Sequence, residues 1–419
     1  MKVEKNKMRV LWFAVTPSLY AQNNIKHNGG GWISSLEKIV KQIPEIELAI
    51  AFEHSDISFK VVRNGVTYYP ISVWNKLSKR IKRKFFFDSE EKEIVPSCIK
   101  IINDFKPDII HVFGSEWSFG LIASLTNIPL VIHMQGSIPP YLNAYFPPNY
   151  SLFDIILFNK LNIIESIKQI INYRKFKLRA QRETRILAGC NYFFGRTEWD
   201  YNITRIYSPN SKYFYCSEAL RDSFIKIQST WQLPQRKEFI IVSTISEPLY
   251  KGFDLILKTS KILKNNFLLD FKWKVFGVSD ARIQEWKSKT KSNSVNVILK
   301  GIVDADLLTK ELLESNVYVH PSYIDNSPNS ICEAQYLGMP VIAANVGGIS
   351  SLIEHSKNGL LVPSNDPYTC ASYIKKIVDN KNFALEIGNE ARKTAQFRHD
   401  PQRISADLIS AYKNIIQTK

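Results

Sequence analysis

The sequence predicts an α/β chain built as two consecutive doubly wound domains, on three observations. Short apolar runs rich in Val, Ile and Leu alternate with longer segments of helical period almost from end to end, as parallel strands joined by right-handed crossovers do. The alternation breaks at a polar stretch, residues 229–237, and then starts afresh. The length, 419 residues, exceeds one ordinary domain and suits two, each large enough to bury its own core.

The elements follow in order. Residues 8–16 (MRVLWFAVT) read as a buried first strand. The charged start resembles a signal peptide, but the apolar run is short and stops at Thr16-Pro17 with no small-residue cleavage pattern. Gly29-Gly30-Gly31-Trp32 then leads into a helix over 32–43, and glycines there let another group approach the backbone or simply make a turn. This is no GxGxxG fingerprint and no acidic residue follows at the expected spacing, so a dinucleotide cofactor is not supported. DIIHVFG (108–114) and PLVIHMQG (129–136) are strands buried on both faces, with a helix at SFGLIASL between them. Residues 139–185 open with prolines and aromatics and turn basic and helical, an insertion within an N-terminal domain spanning 1–228.

The second series contains FIIVSTIS, WKVFGV, VNVILKG, VYVHPS, PVIAANV and GLLV with helices between, and defines a domain over 238–400. Residues 401–419 form a last helix, expected to pack back toward the N-terminal domain.

Fifty-five basic against 39 acidic residues give a formal charge of +16, which favours an anionic partner. Two tracts carry much of it: Lys76–Lys84, followed by three phenylalanines, and residues 168–185. Cations beside apolar groups suit an anionic membrane surface, and equally a solvated helix face. No nucleic-acid motif accompanies them, so nucleic acid is not an expected partner. No run reaches the roughly 18 apolar residues of a membrane span. Five scattered cysteines without a CxxC pair fit a reducing compartment, so the expected location is cytoplasmic or peripheral on the inner face of the cell membrane.

The most specific stretch is 317–363, VYVHPSYIDNSPNSICEAQYLGMPVIAANVGGISSLIEHSKNGLLVP. A strand ends at Pro321-Ser322, a loop carries Asp325, and Ser327 is placed to cap a helix whose first position is Pro328. The free N–H groups of Asn329, Ser330 and Ile331 would form an anion site at the carboxyl edge of a parallel sheet. Glu333 follows one turn in, suited to grip ribose hydroxyls. Taken alone, Ser330-x-x-Glu333 is equally a plain capping box.

With its surroundings, the stretch resembles the retaining GT-B glycosyltransferases of family four, whose hallmark is E-x7-E followed by A-x-x-x-G-x-P-V. Here stand Asp325-x7-Glu333, then Ala334, Gly338, Pro340, Val341, Gly347-Gly348 and Asn358-Gly359. The resemblance implies a GT-B fold, two Rossmann-like domains facing across a cleft. It also implies that Glu333 binds the donor ribose, Asn329–Ile331 the diphosphate and Asp325 the donor sugar. Asp325 is one methylene shorter than the usual Glu. The family's Arg and Lys, five positions apart, neutralise the departing diphosphate. Lys251-Gly252 is present but Ser246 holds the arginine position, and Arg196, at the end of an N-domain strand, is the candidate replacement. His133 corresponds to the family histidine near the reacting carbon, with Gly136 after it, and Gly30 and Gly31 to its phosphate-side loop. Base contacts are expected near Gly277 and Gly301. His111 reads as core, and His320 as a candidate lining residue of the donor pocket. No metal-spaced cluster and no DxD in a diphosphate context appear, so no obligatory metal or cofactor is expected.

The implied reaction moves a sugar, with retention, from a UDP- or GDP-sugar to a hydroxyl of a glycan or lipid-linked acceptor, as in bacterial cell-surface polysaccharide or glycoconjugate synthesis. A nucleotide-sugar epimerase or hydrolase of the same architecture remains an alternative. So does a non-catalytic nucleotide-sugar-binding protein at a membrane.

Overall fold

Two parallel-dominated sheets emerge in the computed structural model, which describes residues 7–20, 31–55, 58–72, 88–159 and 162–418. The chain divides into two units, one of residues 1–142, 171–219 and 399–419, the other of 143–170 and 220–398.

The first unit holds strands β1 (Met8–Phe13), β2 (Ile46–His54), β3 (Val61–Arg63), β4 (Val66–Ser72), β5 (Ile109–Phe113), β6 (Leu130–His133), β7 (Tyr192–Gly195) and β8 (Lys212–Tyr215). Their order is β3-β4-β2-β1-β5-β6-β7-β8, parallel except for the β3–β4 pair. Side chains alternate across a strand, so both faces are apolar. Val10 and Trp12 join one core with Ile109, Phe113 and Val131, while Leu11 and Phe13 join the other with Ile110, Val112 and Ile132. The helix Pro401–Gln417, capped by Asp400 accepting from the Arg403 N–H, completes the first of these cores. It contributes Ile404, Leu408, Ala411, Tyr412 and Ile415, one stripe at helical spacing.

The expected helix at SFGLIASL is a 3-10 run, Ser118–Ser124. It packs tightly, since a Cβ at Gly120 would lie 2.3 Å from Ile186 Cγ2. The basic insertion forms helices that include Ile163–Ala188. Arg182 in this tract is not a surface cation. It is buried, donating to Ser118 Oγ at 2.8 Å and to the Glu116 carbonyl at 2.9 Å. Lys76–Lys84 lies outside the described residues.

The second unit holds β9 (Phe239–Thr244), β10 (Phe271–Phe276), β11 (Val297–Gly301), β12 (Val317–His320), β13 (Val341–Ala344) and β14 (Leu360–Val362). Their order is β11-β10-β9-β12-β13-β14, every pair parallel. Again alternate residues split between two cores. Ile241, Trp273, Val317, Val319 and Ile342 face one way, and Ile240, Val242, Tyr318, Val341 and Ala343 the other. All strands therefore end on one edge, where a ligand would meet the loops.

Candidate functional site

In the second unit that edge is built from three loops. After β12, the chain passes His320, Pro321 and Ser322 to Asp325 before entering the helix Asn329–Leu337. After β9, Pro248 starts the turn Leu249–Lys251. After β13, Gly347 and Gly348 fold onto Asp325, whose carbonyl accepts from the Gly348 N–H at 3.0 Å. A Cβ on Gly347, at φ +53°, would lie 1.8 Å from that same oxygen, so only glycine fits.

These loops bring Lys251 and Asp325 together. Lys251 Nζ lies 2.7 Å from Asp325 Oδ2, His320 Nε2 2.9 Å from the same oxygen, and the Asn326 N–H donates to Oδ1 at 3.2 Å. Ser322 Oγ stands 3.0 Å from His320 Nε2 and 3.4 Å from Asp325 Oδ2. Burial alone would push the Asp325 carboxyl up, but the Lys251 ammonium and the His320 contact hold it well below the usual carboxylate range. Asp325 is therefore ionised, and an incoming diphosphate would compete with it for Lys251.

The start of the helix departs from the sequence reading. Pro328, not Ser327, takes the capping position, with no side-chain cap, and the helix begins at Asn329. Without a cap, the backbone tightens: Ile331 donates to the Pro328 carbonyl at 3.0 Å. The Ile331 N–H is thus occupied. Among the described residues, the Asn329 and Ser330 N–H groups have no hydrogen-bond partner.

Glu333 is buried, and its carboxylate is gripped by Arg221, Nε to Oε1 at 2.7 Å and Nη2 to Oε2 at 2.8 Å. This bidentate fork is the strongest form of Arg–carboxylate recognition. Sequence reasoning missed Arg221, which sits outside any motif and 112 positions from its partner. Gly277 and Gly301 lie just after β10 and at the end of β11, and the Gly277 N–H donates to the Gly301 carbonyl at 2.7 Å. A Cβ at Gly277, φ +87°, would meet the Ile245 carbonyl at 2.2 Å.

The remaining candidates belong to the first unit. His133 ends β6, fully buried, with Trp32 edge-on at 5.0 Å and His111 stacked at 5.3 Å. Arg196 follows β7, buried at 5% exposure. Its Nη1 lies 3.3 Å from Glu218 Oε2, its Nη2 donates to the Met134 carbonyl at 3.3 Å, and its guanidinium lies 5.4 Å over the Trp32 ring. Glu218 already neutralises it, so Arg196 is a structural cation in this state. Gly31 opens the helix Gly31–Val40, and Gly30 lies outside the described residues.

Residues 225–394 match the family model of the glycosyl transferases group 1. The chain is 29% identical to the capsular polysaccharide biosynthesis glycosyltransferase CapM of Staphylococcus aureus, over 24% of this chain and 27% of CapM. Three further curated relatives are matched over 40%, 30% and 56% of their own lengths. Among solved structures, sucrose-phosphate synthase of Thermosynechococcus elongatus superposes with a TM-score of 0.72 at 14% identity, over 99% of this chain and 100% of that one. Anabaena HepE, solved with UDP-glucose, gives 0.61 at 14% identity, over 96% and 100%. The two Rossmann-like sheets are those of the GT-B fold.

Proposed function

We propose that the chain transfers a sugar from a nucleoside diphosphate donor to a hydroxyl acceptor, because residues 225–394 match the family model of the glycosyl transferases group 1. The observation that carries this reading is the convergence at one sheet edge of an ammonium, two unbonded backbone N–H groups and a buried carboxylate. Lys251 and the helix N-terminus supply positive potential for the diphosphate. Glu333, one turn further, is placed to accept from ribose hydroxyls, and Asp325 from a sugar hydroxyl once Lys251 turns to phosphate. Transfer proceeds with retention, by same-face attack assisted by the leaving group. The donor is a UDP- or GDP-sugar, and transfer needs no bound metal.

A thermal-shift screen of nucleotides tests donor binding. UDP or GDP at 100 times its Kd should add about 2.7 kcal/mol of stability, with or without EDTA, whereas no shift from any nucleotide diphosphate would contradict the reading. Product analysis then separates transfer to an acceptor from epimerisation or hydrolysis.

The acceptor is proposed to be a lipid-linked or growing surface glycan, in keeping with CapM's role in capsular polysaccharide biosynthesis. Ile163 and Ile164, at 74% and 81% exposure, head the helix that carries the second basic tract, and apolar groups beside cations suit an anionic bilayer. Replacing both with Glu should abolish co-sedimentation with anionic vesicles. Unchanged co-sedimentation would remove the membrane part of the proposal.

A further inference from the structure

A buried chain of polar side chains in the first unit fixes the position of a proton, and we propose that Tyr412 on the C-terminal helix is a positioning residue that makes His133 a donor through Nε2–H. Trp12, His111, His133 and Tyr412 are all fully buried. The Trp12 indole can only donate, and its Nε1 lies 3.1 Å from the Tyr412 oxygen. Tyr412 has one hydrogen of its own, and its other polar neighbour among the described residues is His111 Nδ1, at 2.6 Å. If His111 donated to Tyr412 instead, the phenol hydrogen would be buried without an acceptor, at a cost of roughly 1–3 kcal/mol. The Tyr412 O–H therefore donates to His111 Nδ1.

The rest follows by valence. A neutral His111 that accepts at Nδ1 carries its hydrogen on Nε2, which lies 3.2 Å from His133 Nδ1. His133 then accepts at Nδ1 and carries its own hydrogen on Nε2, the atom with no hydrogen-bond partner among the described residues. Burial keeps both rings neutral at ordinary pH. For His133, the positive charge of Arg196 acts in the same direction as burial.

His133 thus ends β6 as a pre-oriented neutral donor and is not available as a base. Its complement is an oxygen lone pair, and its part in turnover rests on the reading above. A C-terminal residue would then control a contact 279 positions earlier, through a relay that one oxygen atom completes.

The test uses the full-length protein with 15N-labelled histidine and long-range proton–nitrogen correlation, with resonances assigned by His111→Gln and His133→Gln. The expected result is pyrrole-type Nε2 and pyridine-type Nδ1 on both rings, with Tyr412→Phe shifting both toward mixed tautomers and lowering kcat/KM about tenfold. Wild-type His133 protonated at Nδ1, an imidazolium at either ring, or ring shifts indifferent to Tyr412→Phe would overturn the relay. The wild-type spectrum alone decides if Tyr412→Phe does not fold. The expected tautomers in a protein that transfers no sugar would leave the relay standing and remove only the functional reading.

Discussion

Glu333→Ala should lower kcat/KM for the donor by about 100-fold or more, a loss of roughly 2.7 kcal/mol of transition-state stabilisation. The carboxylate is buried at 2% exposure, one turn into the helix whose first two N–H groups are unbonded. A ribose hydroxyl that meets no acceptor there loses its hydrogen bond while still losing its water. The fold should survive, because Arg221 keeps 33% of its side-chain surface in solvent. Its unpaired guanidinium can hydrate, so the stability loss should stay below the 3–5 kcal/mol typical of a fully buried broken pair. Isothermal titration with the nucleoside diphosphate separates the two effects. Weakened binding at near-native melting temperature is expected, and unchanged kcat/KM would refute the assignment of Glu333.

Lys251→Ala should cost about 10²–10³ in kcat, the scale of removing one preorganised stabiliser of developing charge. It also strands Asp325, whose side chain is 9% exposed against 17% for Lys251. Stability should therefore fall, and the pH dependence has a definite sign. The folded Asp325 carboxyl is held below its unfolded value chiefly by Lys251, against the upward push of burial. Its contribution is fully present above the ordinary carboxylate pKa of about 3.9 and is lost as pH falls through the folded value. The variant's deficit should accordingly be largest near neutral pH and shrink below about pH 4. The paired change Lys251→Met with Asp325→Asn should recover much of the stability without recovering turnover. Denaturant titrations across pH, alongside donor turnover, measure both. Equal turnover in wild type and Lys251→Ala would contradict the proposed role of this cation.

The strands were legible because parallel strands covered on both faces leave continuous apolar runs, as in β1, β5, β9 and β13. Lys251 and Asp325 were legible through the resemblance to the family motif, and Glu333 also because it stands one turn into a helix that follows a strand. What escaped the sequence depends on partners far apart in it. Arg221 finds Glu333 across 112 positions, and Tyr412 finds His111 across 301. Arg196 read as the candidate replacement for the family arginine, and nothing local announces Glu218, which faces it from a separate loop. Ser327 read as a cap because Ser is a preferred capping residue, yet Pro328 takes the position and the first turn tightens instead. Gly30 and Lys76–Lys84 fall outside the described residues.

The most direct measurement is a crystal structure of the protein soaked with UDP or GDP. A pyrophosphoryl group should accept from the amides of Asn329 and Ser330, draw Lys251 Nζ away from Asp325, and leave the ribose against Glu333. Diphosphate density elsewhere, with the Lys251–Asp325 pair undisturbed, would contradict it.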